Sequence, residues 1–450
     1  MQIAPELSAA CADVAPASSA DSVAGRRARY VAAPASTEEA SSLLRAAARL
    51  GLTIVARGAG RLQHWGNPPN SCDLIVDTHR LDRVVAHSPD DFAVTVQAGV
   101  RVCDLAEALA PAHQHLAVLP PARAFTGTIG GLIATNATGS RRYRYGTPRD
   151  LLAGITAVRA DGTVIRIGEV ASNPGGHDLL ALFAGSYGTF GLITEATFRL
   201  HPTPQVSGGV WMPCTGPEHA ARLVEMVSDP WLAPWGIDLR WPAGKPMGLV
   251  VSVEGDRQFF EARCNRLHAL AGRDALPRGL VANAIRPDAT GHGGLRPGVA
   301  QALRARGDRI HAELMDPPPD TGTLVRLTFP PVRLAQVLTA IRAAAVDDEL
   351  AVAVDGSAGA GVLDVKVPAE SPPTAVARFV PALRGELGRL SESGTAVGAA
   401  RAAVVYAPDD VRGMTDMYGP TALELLQSIK DDFDPEDRMA PGRLAAATLG

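Results

Sequence analysis

The chain has 450 residues, 46% of them hydrophobic and 20% charged, a globular composition with length enough for two or three domains. Lysine plus arginine number 43 against 47 aspartates and glutamates, so no net field favours nucleic acid or an anionic membrane. Cys11, Cys72, Cys103, Cys214 and Cys264 form no C-x-x-C pair, which argues against an iron–sulfur cluster, a thiolate zinc site or a disulfide framework and for a reducing compartment. No apolar run approaches the roughly 20 residues that span a bilayer, and the first residues lack the basic start and apolar core of a signal peptide. The expected compartment is the cytoplasm. Arginine outnumbers lysine so heavily that Lys occurs only at 245, 366 and 430, a bias to which no function attaches.

Residues 1–28, rich in Ala, Ser and Pro without apolar periodicity, read as a disordered tail. Ser36 and Glu39 have capping-box spacing, and Ala40, Leu43, Leu44, Ala47 and Leu50 recur on one helical face before Gly51. A short strand from Thr53 to Ala56 then runs into the loop RGAGR, Arg57 to Arg61. A loop at the carboxyl end of a strand can aim successive N–H groups at a phosphate. As a motif RGAGR is weak and a plain turn fits it equally well; its position after a strand favours an anion nest. LIVDT (Leu74 to Thr78) follows, then VVAH and FAVTVQ flanking SPDD as a hairpin, and a helix with Val102, Leu105, Ala106 and Leu109 on one face. His113 and His115 have no third ligand nearby and read as solvated loop residues rather than metal ligands; no metal site is expected.

Residues 126–146, TGTIGGLIATNATGSRRYRYG, concentrate Gly127, Gly130, Gly131, Gly139 and Gly146 among small residues. An ordinary turn needs one or two glycines with Asp, Asn or Pro. This density favours backbone laid against a flat or charged ligand, with Ile129, Leu132 and Ile133 on a buried side. Two strands around Asp161–Gly162, a short helix from Asp178, the loop GSYGTFG (Gly185 to Gly191) and the strand LITEATFRL complete this half. Beyond about 205, two β-α-β-β-α units in succession predict an α+β domain with an antiparallel sheet covered by helices. A Pro- and Gly-rich connection at 286–322 separates them, and a helix near Leu423 to Ile429 leads to the closing FDPEDRMAPGRL.

In sequence order, RGAGR-x-x-x-WG, TGTIGGLIATNATG, RRYRYGTPRDLL, GGHDLLALFAGSYGTFGLITEA and FDP-x5-PGRL make the chain resemble the FAD-binding oxidoreductases of the vanillyl-alcohol oxidase superfamily. Within it the chain looks most like the FAD-binding subunits of bacterial glycolate oxidases, from about Tyr30 to Leu444. The resemblance implies a PCMH-type FAD-binding domain of two α/β subdomains, at 29–204, and an α+β cap domain at 205–450 whose last segment returns to the flavin. It further implies oxidation of a 2-hydroxy acid, with electrons passed to partners, a second flavoprotein subunit and an iron–sulfur subunit. Its cofactor contacts map onto Arg57, Gly58, Ala59, Gly60 and Arg61 for the diphosphate, Gly127, Thr128, Gly130, Gly131 and Ala134 for the ribityl chain and flavin, Gly191 and Ile193 beside the adenine, and Arg443 near the flavin.

The departures from that pattern bear on chemistry. Arg61 stands where relatives carry Thr or Ser and can still meet a phosphate. His64 lies three residues beyond the usual attachment position, so FAD is expected to be noncovalent. Ser172 replaces a Lys, His177 a Tyr, Tyr406 an Arg and Ala440 an Asn. Oxidising a hydroxy acid on a flavin needs a base and a cation for the carboxylate. His177 is the candidate base, although a lone histidine is more often structural. Arg326, on the polar face of LVRLTF, and Arg401 are the candidate cations; Arg141, Arg142 and Arg144 read as a solvated or subunit-facing cluster. The alternatives to a hydroxy-acid dehydrogenase subunit are a catalytically degenerate flavin-binding or scaffold subunit and a stand-alone FAD-linked oxidase of another alcohol.

Overall fold

The computed structural model describes residues 3–118, 120, 122–168, 179–271, 276–282, 322–346, 349–392, 399–415 and 423–443. His177, Ser172 and residues 286–321 of the predicted connection lie outside the described residues. The chain divides into two units, the first formed by Met1–Ala137, Thr147–Pro202 and Pro420–Gly450, the second by Thr138–Gly146 and Thr203–Gly419.

Besides two small two-stranded sheets, Ser22–Val23 with Arg26–Arg27 and Gln114–His115 with His201–Pro202, the first unit holds two larger sheets among the described residues. Strands β1 (Val14–Pro16), β2 (Tyr30–Ala32), β3 (Ile54–Arg57) and β4 (Leu74–Asp77) form one in the order β1-β2-β4-β3, with β2 and β3 both parallel to β4. Strands β5 (Val84–Ser88), β6 (Ala93–Gln97), β7 (Leu152–Val158), β8 (Val164–Gly168) and β9 (Leu192–Arg199) form the other, antiparallel in the order β8-β7-β9-β6-β5. Helix α2 (Thr37–Arg49) starts where the sequence predicts: Ser36 has an extended backbone and accepts the amide of Glu39. Leu43, Leu44 and Ala47 pack its buried stripe against Ile54, Leu74 and Val76. The turn Asp161–Gly162 lies on this helix, and Gly162 is required twice over. Its φ is +84°, and a Cβ there would sit 2.6 Å from the carbonyl oxygen of Ser41.

The expected tail is ordered in the structure. Residues Ile3–Ala10 form helix α1, whose Leu7 is fully buried with Cys11 in the same core. Glu39 explains part of this: instead of reaching back to the Ser36 amide, its carboxylate accepts the amides of Ala12 and Ala35. Composition misled because alanine is both a weak core residue and a strong helix former, and small apolar contacts leave little periodicity to read.

Among the described residues the second unit has one antiparallel sheet of eight strands, with helices at Pro217–Val227, Arg257–Ala271, Leu334–Val346 and Pro373–Glu392. Its strands are β10 (Val206–Pro213), β11 (Gly236–Trp241), β12 (Gly248–Gly255), β13 (Leu276–Ala282), β14 (Thr323–Thr328), β15 (Ala353–Ser357), β16 (Val362–Val367) and β17 (Arg401–Tyr406), in the order β13-β10-β12-β11-β15-β16-β14-β17. The two predicted repeats meet where β11 pairs with β15. Period-two alternation divides the faces. Ile237, Leu239, Val354, Leu363, Val365, Val325 and Leu327 are buried apolar residues, while Asp238, Arg240, Asp355, Ser357, Asp364, Lys366 and Arg326 occupy the alternate positions.

Candidate functional site

One cleft in the first unit is lined by Arg57 to Gln63, by Gly127, Thr128, Gly130, Gly131 and Ala134, by Tyr187, Gly188, Gly191 and Ile193, and by Arg443. It encloses about 800 Å³, part of it open to solvent. Every residue that the sequence assigns to a cofactor lies on this wall, although the four segments are far apart in the chain.

The two glycine-rich segments contribute in different ways. Strand β3 ends at Arg57, paired with Asp77, and releases the chain into the loop 58–61. Among the described residues, no protein acceptor takes the amides of Gly58, Ala59, Gly60 or Arg61. The side chain of Arg61 is exposed and has no ion-pair partner among the described residues. Arg57, by contrast, is fully engaged by acids. Its Nη1 donates to Asp21 at 2.7 Å and its Nε to Asp77 at 2.8 Å. Hydrogen bonds from Ser18 and from Arg57 hold the Asp21 carboxyl down at about 2. The segment expected as a tail thus props the loop. Arg57 shapes the nest, which leaves Arg61 as its available charge.

In the second segment the amides are spent on the protein. The Gly130 amide donates to Ala98 and the Ile129 amide to Val100, both at 2.8 Å, and Gly127 donates to Ala124. Thr128 caps helix α3 (Ile129–Thr135) by accepting the Gly131 amide. The glycines here serve close packing. A Cβ on Gly130 would lie 3.0 Å from the Cβ of Ala98, whereas one on Gly131 would meet nothing nearer than Thr128 Oγ1 at 3.3 Å. Gly58 belongs to this logic too, because its Cβ would fall 2.1 Å from the same Thr128 Oγ1. That contact brings the two glycine segments to one place. The result is a smooth wall of small residues beside a loop of open donors.

The remaining walls are fixed by the ends of other elements. Tyr187 and Gly185 donate to Ala134 and Ile133, so the loop 185–191 closes the carboxyl end of α3. Arg443, 3% exposed, donates through Nη2 to the carbonyls of Gln63 and Trp65 at 3.1 and 2.6 Å and lies over the Tyr187 ring. It clamps the turn after the nest.

A planar, diphosphate-bearing ligand suits this donor set: amides without acceptors and the exposed Arg61 guanidinium for the anion, and a wall of small residues, Thr128, Gly131 and Ala134, for an aromatic ring. Comparison with known proteins bears on the same residues. Residues 28–168 match the family described as FAD binding domain, and residues 397–444 match the family described as FAD linked oxidases, C-terminal domain. The chain thus has one segment similar to an FAD binding domain and one similar to the C-terminal domain of FAD linked oxidases. The chain is 36% identical over 174 residues to a D-lactate dehydrogenase of Archaeoglobus fulgidus, 38% of each chain. It is 34% identical over 177 residues to the glycolate oxidase subunit GlcD of Bacillus subtilis, 39% of this chain and 37% of that one. An uncharacterized FAD-linked oxidoreductase of Mycobacterium tuberculosis is 32% identical over 206 residues, 46% of this chain and 44% of its own. The aligned segment is thus less than half the length of each of these relatives. The fold itself resembles p-cresol methylhydroxylase, with a TM-score of 0.71 at 14% identity over 98% of this chain and 96% of that one. An alkyldihydroxyacetonephosphate synthase gives 0.63 at 15% identity over 93% and 76%.

The predicted catalytic residues fare differently from the cofactor set. His177 lies outside the described residues. Arg326 is buried and held by both oxygens of Asp364, at 2.8 and 2.9 Å, so the polar face expected to present it to a carboxylate ligand is occupied by its own acid. Arg401 is exposed, opposite Thr328 on β17. Of the arginine cluster, Arg144 is exposed as expected, and Arg141 is the correction. Arg141 is mostly buried and pairs with Glu254 at 3.1 Å, and Tyr145 donates to the other oxygen of Glu254. Burial and that acid push the Tyr145 phenol to about 12. Asp238, wholly buried beside Ser140, Arg240 and Asp355, is raised to about 7 by desolvation. Tyr406 has the Arg412 guanidinium over its ring. Among the described residues no helix is long and apolar enough to cross a membrane, and no group of His, Cys, Asp and Glu could hold a metal ion.

Proposed function

We propose that the chain binds FAD noncovalently in the first-unit cleft and serves as the flavin subunit of an enzyme that oxidises a small 2-hydroxy acid. The carrying observation is the loop 58–61, whose amides meet no protein acceptor, set against the wall of small residues at Gly131. The diphosphate would lie on those amides with Arg61 beside it, and the ring would rest along 127–134. When bound, FAD supplies a two-electron acceptor. Thr128 fixes the spacing between nest and wall, Arg443 holds the turn behind the nest, and Arg57 keeps the loop aligned through its two acids. The substrate class rests on relatives named glycolate oxidase subunit and D-lactate dehydrogenase. Oxidation of a 2-hydroxy acid to a 2-oxo acid removes two electrons and two protons, one from carbon as part of a hydride and one from the hydroxyl, and His177 remains the proposed acceptor of the hydroxyl proton. The wide spacing of the five cysteines leaves onward transfer to a partner that carries its own redox centre. We place the chain with such partners, a second flavoprotein subunit and an iron–sulfur subunit, on the cytoplasmic side.

A titration of flavin-free protein with FAD, followed by anaerobic addition of glycolate or D-lactate, tests the reading. The expected result is one FAD per chain and bleaching of the flavin band by one of the acids. Protein that takes up no FAD contradicts the binding claim. The engagement of Arg326 by Asp364 favours a second reading, a flavin-binding subunit without its own turnover; bound FAD that no hydroxy acid reduces would select it.

A further inference from the structure

Helix α4 (Leu423–Phe433) carries Lys430, which is 1% exposed. Lysine is almost never fully buried without partners. An ammonium has three protons to donate, and here each has its own acceptor. Nζ donates to the carbonyl of Thr189 at 2.8 Å, to the carbonyl of Met439 at 2.8 Å and to Oδ2 of Asp434 at 2.6 Å.

Those acceptors belong to segments that build the cleft. Thr189 is the fully buried centre of the loop whose Tyr187, Gly188 and Gly191 line the wall. Met439 lies on the outer edge of β3: Ile54 donates to Arg438 and Ala440 donates back to Ile54, both at 2.7 Å. The strand so framed is the one that delivers Gly58. Three residues past Ala440, Arg443 closes on Gln63 and Trp65. Asp434 also accepts the amide of Met439 at 2.6 Å, so acid and ammonium together fix the closing segment. Neither Lys430 nor Asp434 is among the residues that line the cleft.

We infer that Lys430 is a positioning residue for the cofactor: one buried ammonium ties the loop 185–191 to the closing segment 438–443 and so sets the width of the cleft. The inference rests on the proposal that the cleft takes FAD. It does not require that the enzyme turn over. A methionine at 430 has similar length but leaves two carbonyls unpaired and the Asp434 carboxylate buried alone, a loss that cannot be shared with solvent.

The test uses the full chain in two measurements. In flavin-free protein, hydrogen exchange of the amides in 185–191 and 438–443 is expected to rise at least tenfold in Lys430→Met, with α2 unchanged. In the FAD titration, Lys430→Met is expected to bind at least tenfold more weakly, with a shifted flavin absorption envelope. Leu7→Ala, a core change in the same unit matched for loss of melting temperature, should leave affinity within twofold and the envelope as in the wild type. Asp434→Asn keeps the ammonium and both carbonyl bonds; it should move both measurements the same way by a smaller factor, and it decides the matter if Lys430→Met does not fold. Wild-type exchange in both segments, unchanged FAD affinity in the lysine variant, or equal weakening by Leu7→Ala would overturn the inference. Failure of the wild type to bind FAD would instead strike the functional reading, and the exchange data would still judge the latch.

Discussion

The two units treat their polar groups in opposite ways. The second unit is richer in charge on its sheet, yet its charges close on one another: Arg326 on Asp364, Lys366 on Asp355, Arg141 on Glu254. The first unit leaves uncharged groups open, the amides of 58–61, and lets a single exposed guanidinium stand beside them. A charged side chain that can reach a partner in its own fold will pair with it, because burying it alone is costly. Backbone donors left over at the end of a strand have no such freedom, and they are the groups a ligand can claim.

The strongest way to break this contrast is Gly58→Ala. The added Cβ would fall 2.1 Å from Thr128 Oγ1, so loop and wall must part. FAD affinity is expected to fall at least about 100-fold, roughly 3 kcal/mol. Removing the obstructing hydroxyl in Gly58→Ala/Thr128→Ala should recover part of the loss, less about 1 kcal/mol for the helix cap. Next in size is Arg326→Ala, which strands Asp364 within the second-unit sheet. Chemical denaturation should show a loss of about 3 kcal/mol in that unit with FAD affinity unchanged. A weakened FAD affinity without loss of stability would mean that the charge was serving the cofactor.

The same two changes show what was readable in the sequence. The segments at 187–193 and Arg443 came only from the family resemblance, while glycine density pointed to the segment 126–146, because a missing Cβ is a property of the residue itself. It misjudged why several glycines are there. Gly58 and Gly130 make room for Thr128 and Ala98, neighbours that only the fold supplies. Arg326 was visible as an arginine on an alternating strand, but its acid lies 38 residues away across a strand pair, a pairing that no local pattern announces. Asp21 gave no signal at all inside an alanine-rich segment. Lys430 gave a faint one: a chain that otherwise uses arginine keeps lysine where a compact three-proton donor is needed.

Smaller effects sharpen the contrast. Asp238 in the second unit is raised to about 7 by burial, so between its unfolded value near 4 and about 7 the folded state binds the extra proton. Stability of that unit is therefore expected to fall as pH rises through this window, by a few kcal/mol in all. Its neighbours are Arg240 on its own strand, Asp355 and Ser357 on β15, and Ser140. Asp238→Asn should flatten the slope, as measured by denaturation at pH 5, 6, 7 and 8; an unchanged slope would contradict the assignment. The smallest change is at Ala440, which holds φ at +46°, a conformation that costs alanine about 1 kcal/mol and that asparagine adopts more readily. Ala440→Asn, the residue the resemblance implies there, should raise the melting temperature by a few degrees and leave the cleft intact.

The most direct measurement is hydrogen exchange of the full chain with and without FAD, resolved to peptides covering 57–66 and 126–136. Strong protection is expected at 58–61, where the open amides gain acceptors, with a weaker change at 127–131, where the amides are already bonded. Equal exchange with and without FAD in 58–61, under conditions where the flavin is bound, would contradict the account.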